Sequence, residues 1–227
     1  MLRVLFLFLC ICSSLLAAPV KKKTNAGQNA PLIVLDAGHG GLDLGAKSKK
    51  PFCEEKRISL RLAQLVKKQL DQLGYRVLLT RSTDVFLPLA RRVDIAHQSR
   101  CSLFLSLHFN SSPNKEAHGI EIFYHEKEEE AKISAASKQL ASILIDDIVK
   151  TTQAKSRGVK KGNFFVIRES KVPAVLIEGG FISNLYERTL LTKKEYIEKL
   201  ARGIADGVDQ YIKTNRPRRE LNARPAA

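Results

Sequence analysis

From Leu32 onwards, short apolar runs alternate with segments whose apolar residues recur every three or four positions. That alternation restricts the chain to an α/β architecture. Leu32–Asp36 reads as a buried strand. Glu55–Leu73 reads as an amphipathic helix, with Ile58, Leu62, Leu65, Val66, Leu70 and Leu73 on one stripe and Gly74 as its stop. Tyr75–Thr80 and Cys101–Leu107 read as strands on either side of a helix from Pro88 to about Gln98. Gly119–Tyr124 (GIEIFY) alternates apolar and polar residues, the pattern of a half-exposed strand near a sheet edge. A long helix is expected over Glu128–Val149, short strands over Phe164–Ile167 and Ala174–Ile177, and a last helix from about Lys193 to Ile212. The sum is a single α/β domain over residues 31–213: a mainly parallel, twisted sheet of about six strands flanked by helices.

The chain before that domain follows other rules. Met1–Leu2–Arg3 supplies a positive start, Val4–Leu16 is nearly unbroken apolar, and Ala17–Ala18 offers small residues for cleavage. Residues 1–18 therefore read as a secretory signal, with an apolar run short of the ~20 residues that a membrane-spanning helix needs. Residues 19–30 read as a polar linker, and residues 214–227 as a basic, flexible tail. Cys10 follows Leu7–Phe8–Leu9, not the small residues a lipidation site requires. Cys53 and Cys101 remain after signal removal, with their pairing open.

A formal net charge of +15 is dispersed over small clusters such as Lys47–Lys50 and Arg157–Lys161. In an exported protein of the periplasm or cell envelope, that charge suits an anionic polymer or a membrane surface, not nucleic acid. No stable membrane insertion is expected after signal cleavage, and a monomer is expected.

The chemistry gathers at element ends. His39 follows the first strand in DAGHGG, His108 ends the strand CSLFLSLH, and Glu178 ends AVLIE before Gly179–Gly180. Glu55 opens the first long helix. In a parallel α/β sheet the carboxyl ends of strands and the amino ends of following helices share one rim. Each histidine alone is as compatible with packing as with ligation, and Glu55 alone is an ordinary first-turn glutamate. Together, two histidines and a carboxylate suit Zn2+ with an open fourth position. The second carboxylate is then available as general base. Glu178, at the end of an apolar strand, is costly to bury without a cation or a function. Cys53 rivals Glu55 as a soft ligand, with Glu54 as another carboxylate nearby. His97 and His118 read as surface residues, while His125 approaches the rim only if its strand runs parallel.

DAGHGGLDLGA, CEEKRISL, LFLSLHFN and VPAVLIEGGFISN, in that order from Leu32 to Tyr211, resemble the motifs of zinc-dependent N-acetylmuramoyl-L-alanine amidases of the amidase-3 type. The resemblance implies cleavage of the amide between N-acetylmuramic acid and L-alanine of the peptidoglycan stem peptide. It implies His39, Glu55 and His108 as zinc ligands, Glu178 as the catalytic glutamate, and Asn110 and Arg157 as substrate contacts. Phe109 stands where the family usually has a small residue, which predicts a bulkier pocket floor. Cell-division members often insert a segment that plugs the site before the motif at Arg157. Here the interval is filled by about one helix, Glu128–Val149, so no autoinhibitory insertion is evident.

Three other readings compete with this one. A catalytically inactive murein-binding or activator relative is expected to lose a ligand, yet all four residues are present. A dinucleotide fingerprint on GHGG needs glycine at position 43, which is Asp43. Ser112–Pro113–Asn114–Lys115 matches the S-x-x-K of penicillin-sensitive enzymes, raising a second peptidase activity at Ser112.

Overall fold

The computed structural model describes residues 30–215. The signal, most of the linker and the tail beyond Asn215 fall outside them. β1 (Leu32–Ala37), β4 (Arg76–Leu79), β5 (Leu103–Asn110), β6 (Ile120–Tyr124), β7 (Ser156–Lys161) and β8 (Ala174–Phe181) form a six-stranded sheet in the order β4-β1-β5-β8-β6-β7. All its pairings are parallel except β6 against β8. β2 (Lys47–Lys49) and β3 (Phe52–Glu54) make a separate small hairpin that delivers the chain to α1 (Glu55–Gln72).

Because successive residues on a strand face opposite sides, the two faces of the sheet differ in what covers them. On one face Leu35, Leu105, Leu107 and Ile177 pack with α1, α3 (Ala131–Thr152) and α6 (Lys194–Asn215) into a large core. The stripe expected on the first helix is there, with Leu62, Val66 and Leu70 fully buried. On the other face Val34, Phe104 and Leu176 meet only a small cluster beneath α2 (Leu89–Gln98) and α4 (Phe165–Arg168). His108 and Glu178 project from this thinly covered face, two residues along from Ser106 and Leu176.

Three expectations need correction. Phe164–Ile167 is not a strand: its Phe165–Arg168 part is a single helical turn, α4. A four-residue apolar run cannot distinguish the two, and here Val166 and Ile167 are buried from the same side of a turn. The strand lies upstream at Ser156–Lys161, a polar outer strand with no hydrophobic alternation. GIEIFY is not half-exposed: Glu121 is buried, and β7 covers the edge. The last helix runs on through Asn215, past the expected start of the tail. α5 (Leu185–Leu191), capped by the Asn184 side chain accepting from Glu187 N, had no sequence reading.

Candidate metal centre

The rim that β1, β5 and α1 share brings three of the predicted residues together. His39, Glu55 and His108 each offer a donor atom, all within 4.8 Å of one another. His39 Nε2 and His108 Nδ1 both lie 2.9 Å from Glu55 Oε1. The same oxygen accepts from Phe109 N, and Glu55 Oε2 accepts from Ala46 N. Burial alone would raise the Glu55 pKa. The hydrogen bonds from His108 and His39 outweigh it and hold the carboxylate well below its usual range. His39 is likewise raised: burial works against the charge, but hydrogen bonds to Glu55 and Asp43 prevail.

Two supports fix this geometry. Asp43 Oδ2 accepts from His39 Nδ1 at 2.8 Å, which turns Nε2 toward Glu55. Beneath the turn, two buried arginines bind its carbonyls. Arg92 donates to the oxygens of Ala37 and His39 and to Asp36 Oδ1. Arg81 donates to the oxygens of Ala37, Gly38 and Lys56. Asp36, fully buried, also accepts from Thr80 and Ser106 hydroxyls. This lattice holds His39 at φ 59°, a left-handed conformation that a non-glycine residue rarely adopts unaided. Gly38 is required by space: a Cβ there would lie 2.3 Å from the His108 ring.

Glu178, on β8, is the register partner of His108 on the neighbouring β5. Its Oε2 is buried with no hydrogen-bond partner. Burial first, then the Glu55 and Glu121 carboxylates, push its pKa well above the usual range. A hollow of about 260 Å³ opens over His39, Asp43 and His108, walled by Phe86, Phe164 and Phe165. A more open hollow of about 770 Å³ beside α5 contains none of the donor atoms.

The other predicted residues divide. Asn110 and Arg157 do not project freely. Both bind Glu121, through Asn110 Nδ2 to Oε1 at 2.6 Å and Arg157 Nε to Oε2 at 2.8 Å. Cys53 is a core residue with its thiol pushed up to about 11, by burial above all, and is outside the donor set. Glu54 pairs with Arg57. Cys53 and Cys101 are both free and buried. β6 runs antiparallel to β8, so His125 lies at the opposite edge, bound to Gly162 O. His97 is half-buried, its Nε2 accepting from Lys171 N, so it is not simply a surface residue. His118 is exposed.

Phe109 points into the large core against Gly179, so the pocket floor is not bulkier for it. Ser112 and Lys115 are not on a helix. Ser112 Oγ is occupied by Asn114 N, and Lys115 Nζ reaches the Ser112 carbonyl, not its hydroxyl. That arrangement supplies no activated serine. Asp43, Arg81, Arg92, Glu121 and Lys160 escaped the sequence reading. Asp43 sits four residues after His39, and Glu121 is the one charged residue in GIEIFY; those were the available signals.

A family model for Amidase_3, N-acetylmuramoyl-L-alanine amidase, matches residues 33–210. The chain belongs to that family. The amidase is 36% identical over 195 residues to YqiI of Bacillus subtilis, covering 86% of this chain and 87% of YqiI. It is 34% identical over 181 residues to the N-acetylmuramoyl-L-alanine amidase LytC of Bacillus subtilis, covering 80% of this chain but 35% of LytC. Among solved structures, the catalytic domain of CwlV, an N-acetylmuramoyl-L-alanine amidase from Bacillus (Paenibacillus) polymyxa var. colistinus, superposes with a TM-score of 0.75. It is 37% identical, covering 81% of this amidase and 98% of that domain. The single α/β domain and mainly parallel sheet read from the sequence are thus those of an amidase catalytic domain.

Proposed function

We propose that this amidase hydrolyses the bond between the lactyl group of N-acetylmuramic acid and L-alanine of the stem peptide. In this reading His39, Glu55 and His108 hold Zn2+, and Glu178 is the general base and acid. The observation that carries it is the meeting of three N, N and O donors beside a buried, unpartnered carboxylate oxygen. The donor set fits the ion: two imidazoles and one ionised carboxylate are a usual catalytic zinc shell. A bound zinc ion would polarise the scissile carbonyl and make water acidic enough to attack near neutrality.

The residues do the rest. Glu178 Oε2 accepts the proton of the attacking water and hands it to the leaving nitrogen of L-alanine. Its raised proton affinity suits the second half of that exchange. Asp43 keeps His39 in the tautomer that presents Nε2. The apolar wall of Phe86, Phe164 and Phe165 limits water around the reacting carbonyl.

We further infer export to the cell envelope, with dispersed basic charge favouring residence near anionic murein. Among the described residues no helix is long and apolar enough to cross a membrane. α3 fills most of the interval in which plugged relatives carry their insert, and it packs against α6 on the far face of the sheet. In this reading the cleft needs no activator to uncover it, and murein digestion by the purified protein alone is the expected result.

Digestion of purified murein, with and without chelator and with Glu178→Ala, tests the reading. Stem peptides with a free L-alanine amino end, lost on chelation and in the variant, are the expected product. Glycan that stays fully substituted would refute it.

A further inference from the structure

β7 contains an irregularity that regular pairing would not produce. Its register against β6 jumps between Ile120↔Ser156 and Ile122↔Val159, leaving Glu121 opposite an extra residue. Gly158, at φ 79°, takes up the insertion. Bulges are rare in parallel pairs, and they re-aim side chains. Here the effect is specific. Arg157 and Lys160, three apart, would face opposite sides of an ideal strand. Instead both reach Glu121 Oε2.

The result is a small charged assembly one strand beyond Glu178, since Glu121 is the register partner of Glu178 across β6 and β8. The Glu121 side chain is 5% exposed, whereas Arg157 and Lys160 are 31% and 40% exposed. Two cations pair with the one carboxylate of Glu121; the nearby Glu187 carboxylate is held by Gly119 N and Phe181 N instead, and burial raises its pKa. Arg157 also stacks over the Phe181 ring, and its Nη2 has no protein partner among the described residues. A buried acid that aligns two half-exposed cations, with a free guanidinium donor, is a preorganised anion receptor.

We propose that Arg157 and Lys160, aligned by Glu121, form a clamp for a carboxylate of the stem peptide. Adjacent strands are ~4.8 Å apart and an extended residue spans ~3.5 Å. The clamped carboxylate therefore belongs one or two residues from the scissile amide. Glu121 is a positioning residue, acting through the two cations. The proposal rests on the amidase reading above and adds a preference within it: peptides with a free carboxylate at that position over those carrying the amide.

The test uses zinc-loaded enzyme and two soluble muramyl peptides, identical except that the second residue carries isoglutamate or isoglutamine. Wild type is expected to favour the free acid about tenfold in kcat/KM, mostly through KM, the scale of one partly exposed charge-assisted hydrogen bond. Lys160→Met is expected to bring that ratio close to one, and Lys160→Arg to restore it. Equal use of both peptides by wild type, or an undiminished ratio in Lys160→Met, would overturn the clamp. Calorimetric binding of both peptides to Glu178→Ala reads the clamp without turnover. If wild type cleaves neither peptide, the amidase reading fails, and the binding preference and its loss in Glu178→Ala/Lys160→Met still decide the clamp.

Discussion

Replacing Arg92 with methionine removes the guanidinium that ties Asp36, Ala37 and His39 together while leaving a side chain of similar reach. Arg92 and Asp36 are 2% and 0% exposed. Breaking such a pair by deleting one partner costs roughly 3–5 kcal/mol, because the remaining charge is stranded. Thr80 and Ser106 hydroxyls still serve Asp36, which favours the lower end. The carbonyls of His39 and Leu87 also lose their Arg92 donor, at about 1 kcal/mol each. A total near 4–5 kcal/mol is a large part of the ~5–15 kcal/mol that holds a domain folded.

The second consequence is local. Without the bond to its carbonyl, His39 can relax from φ 59°, and zinc affinity should fall ~10–100-fold, as when a ligand's outer partner is lost. With no tryptophan in the chain, urea unfolding of the metal-free protein is best followed by far-ultraviolet circular dichroism. Zinc affinity is read by competition with a chromophoric chelator. Arg92→Lys keeps a charge beside Asp36 but cannot fork to two carbonyls, so it should recover stability more fully than affinity. A loss below about 1 kcal/mol in Arg92→Met, with unaltered zinc affinity, would show that the arginine lattice does not hold the turn.

Three further outcomes are expected. Asp43→Ala, at a half-exposed position, should lower zinc affinity ~10–100-fold while barely moving the urea midpoint. Glu121 is held below its ordinary 4.5: burial opposes ionisation, but the hydrogen bonds from Lys160 and Arg157 prevail. Its stabilising contribution is therefore complete above 4.5 and lost as pH falls through the lower folded value. Urea midpoints of Glu121→Gln and wild type should accordingly converge in acid, and a gap that persists at pH 2 would contradict this. Cys53 and Cys101, each buried and pushed up to about 11, should resist Ellman's reagent at pH 8 until urea is added.

The four residues of the proposed catalytic set were legible because each sits at the end of a regular element, and the parallel sheet forces those ends together. Glu178 was the clearest, since an acid ending AVLIE has no cheap structural reason to be there. β7 was not legible: SRGVKK is polar at an outer position, and its bulge depends on a left-handed glycine that no periodicity reveals. Phe164–Ile167 misled because a short apolar run carries no period. The arginine lattice was hidden for another reason. Arg81 and Arg92 look like surface charge in sequence, and only the fold brings the Ala37–His39 carbonyls to them.

The strand order has a dynamic corollary. β1, β5 and β8, which carry or support His39, His108 and Glu178, each have a paired neighbour on both sides; the edge strands β4 and β7 have one each, β1 and β6. Amide hydrogens should therefore exchange slowly along the central strands and sooner along β7, whose outer backbone groups have no strand partner. The reacting groups ride on the central strands, which open last, and the cations offered to the peptide ride on an edge strand, which opens more readily. A peptide settling between them would slow exchange at Ser156–Lys161 while leaving β5 and β8 as they were.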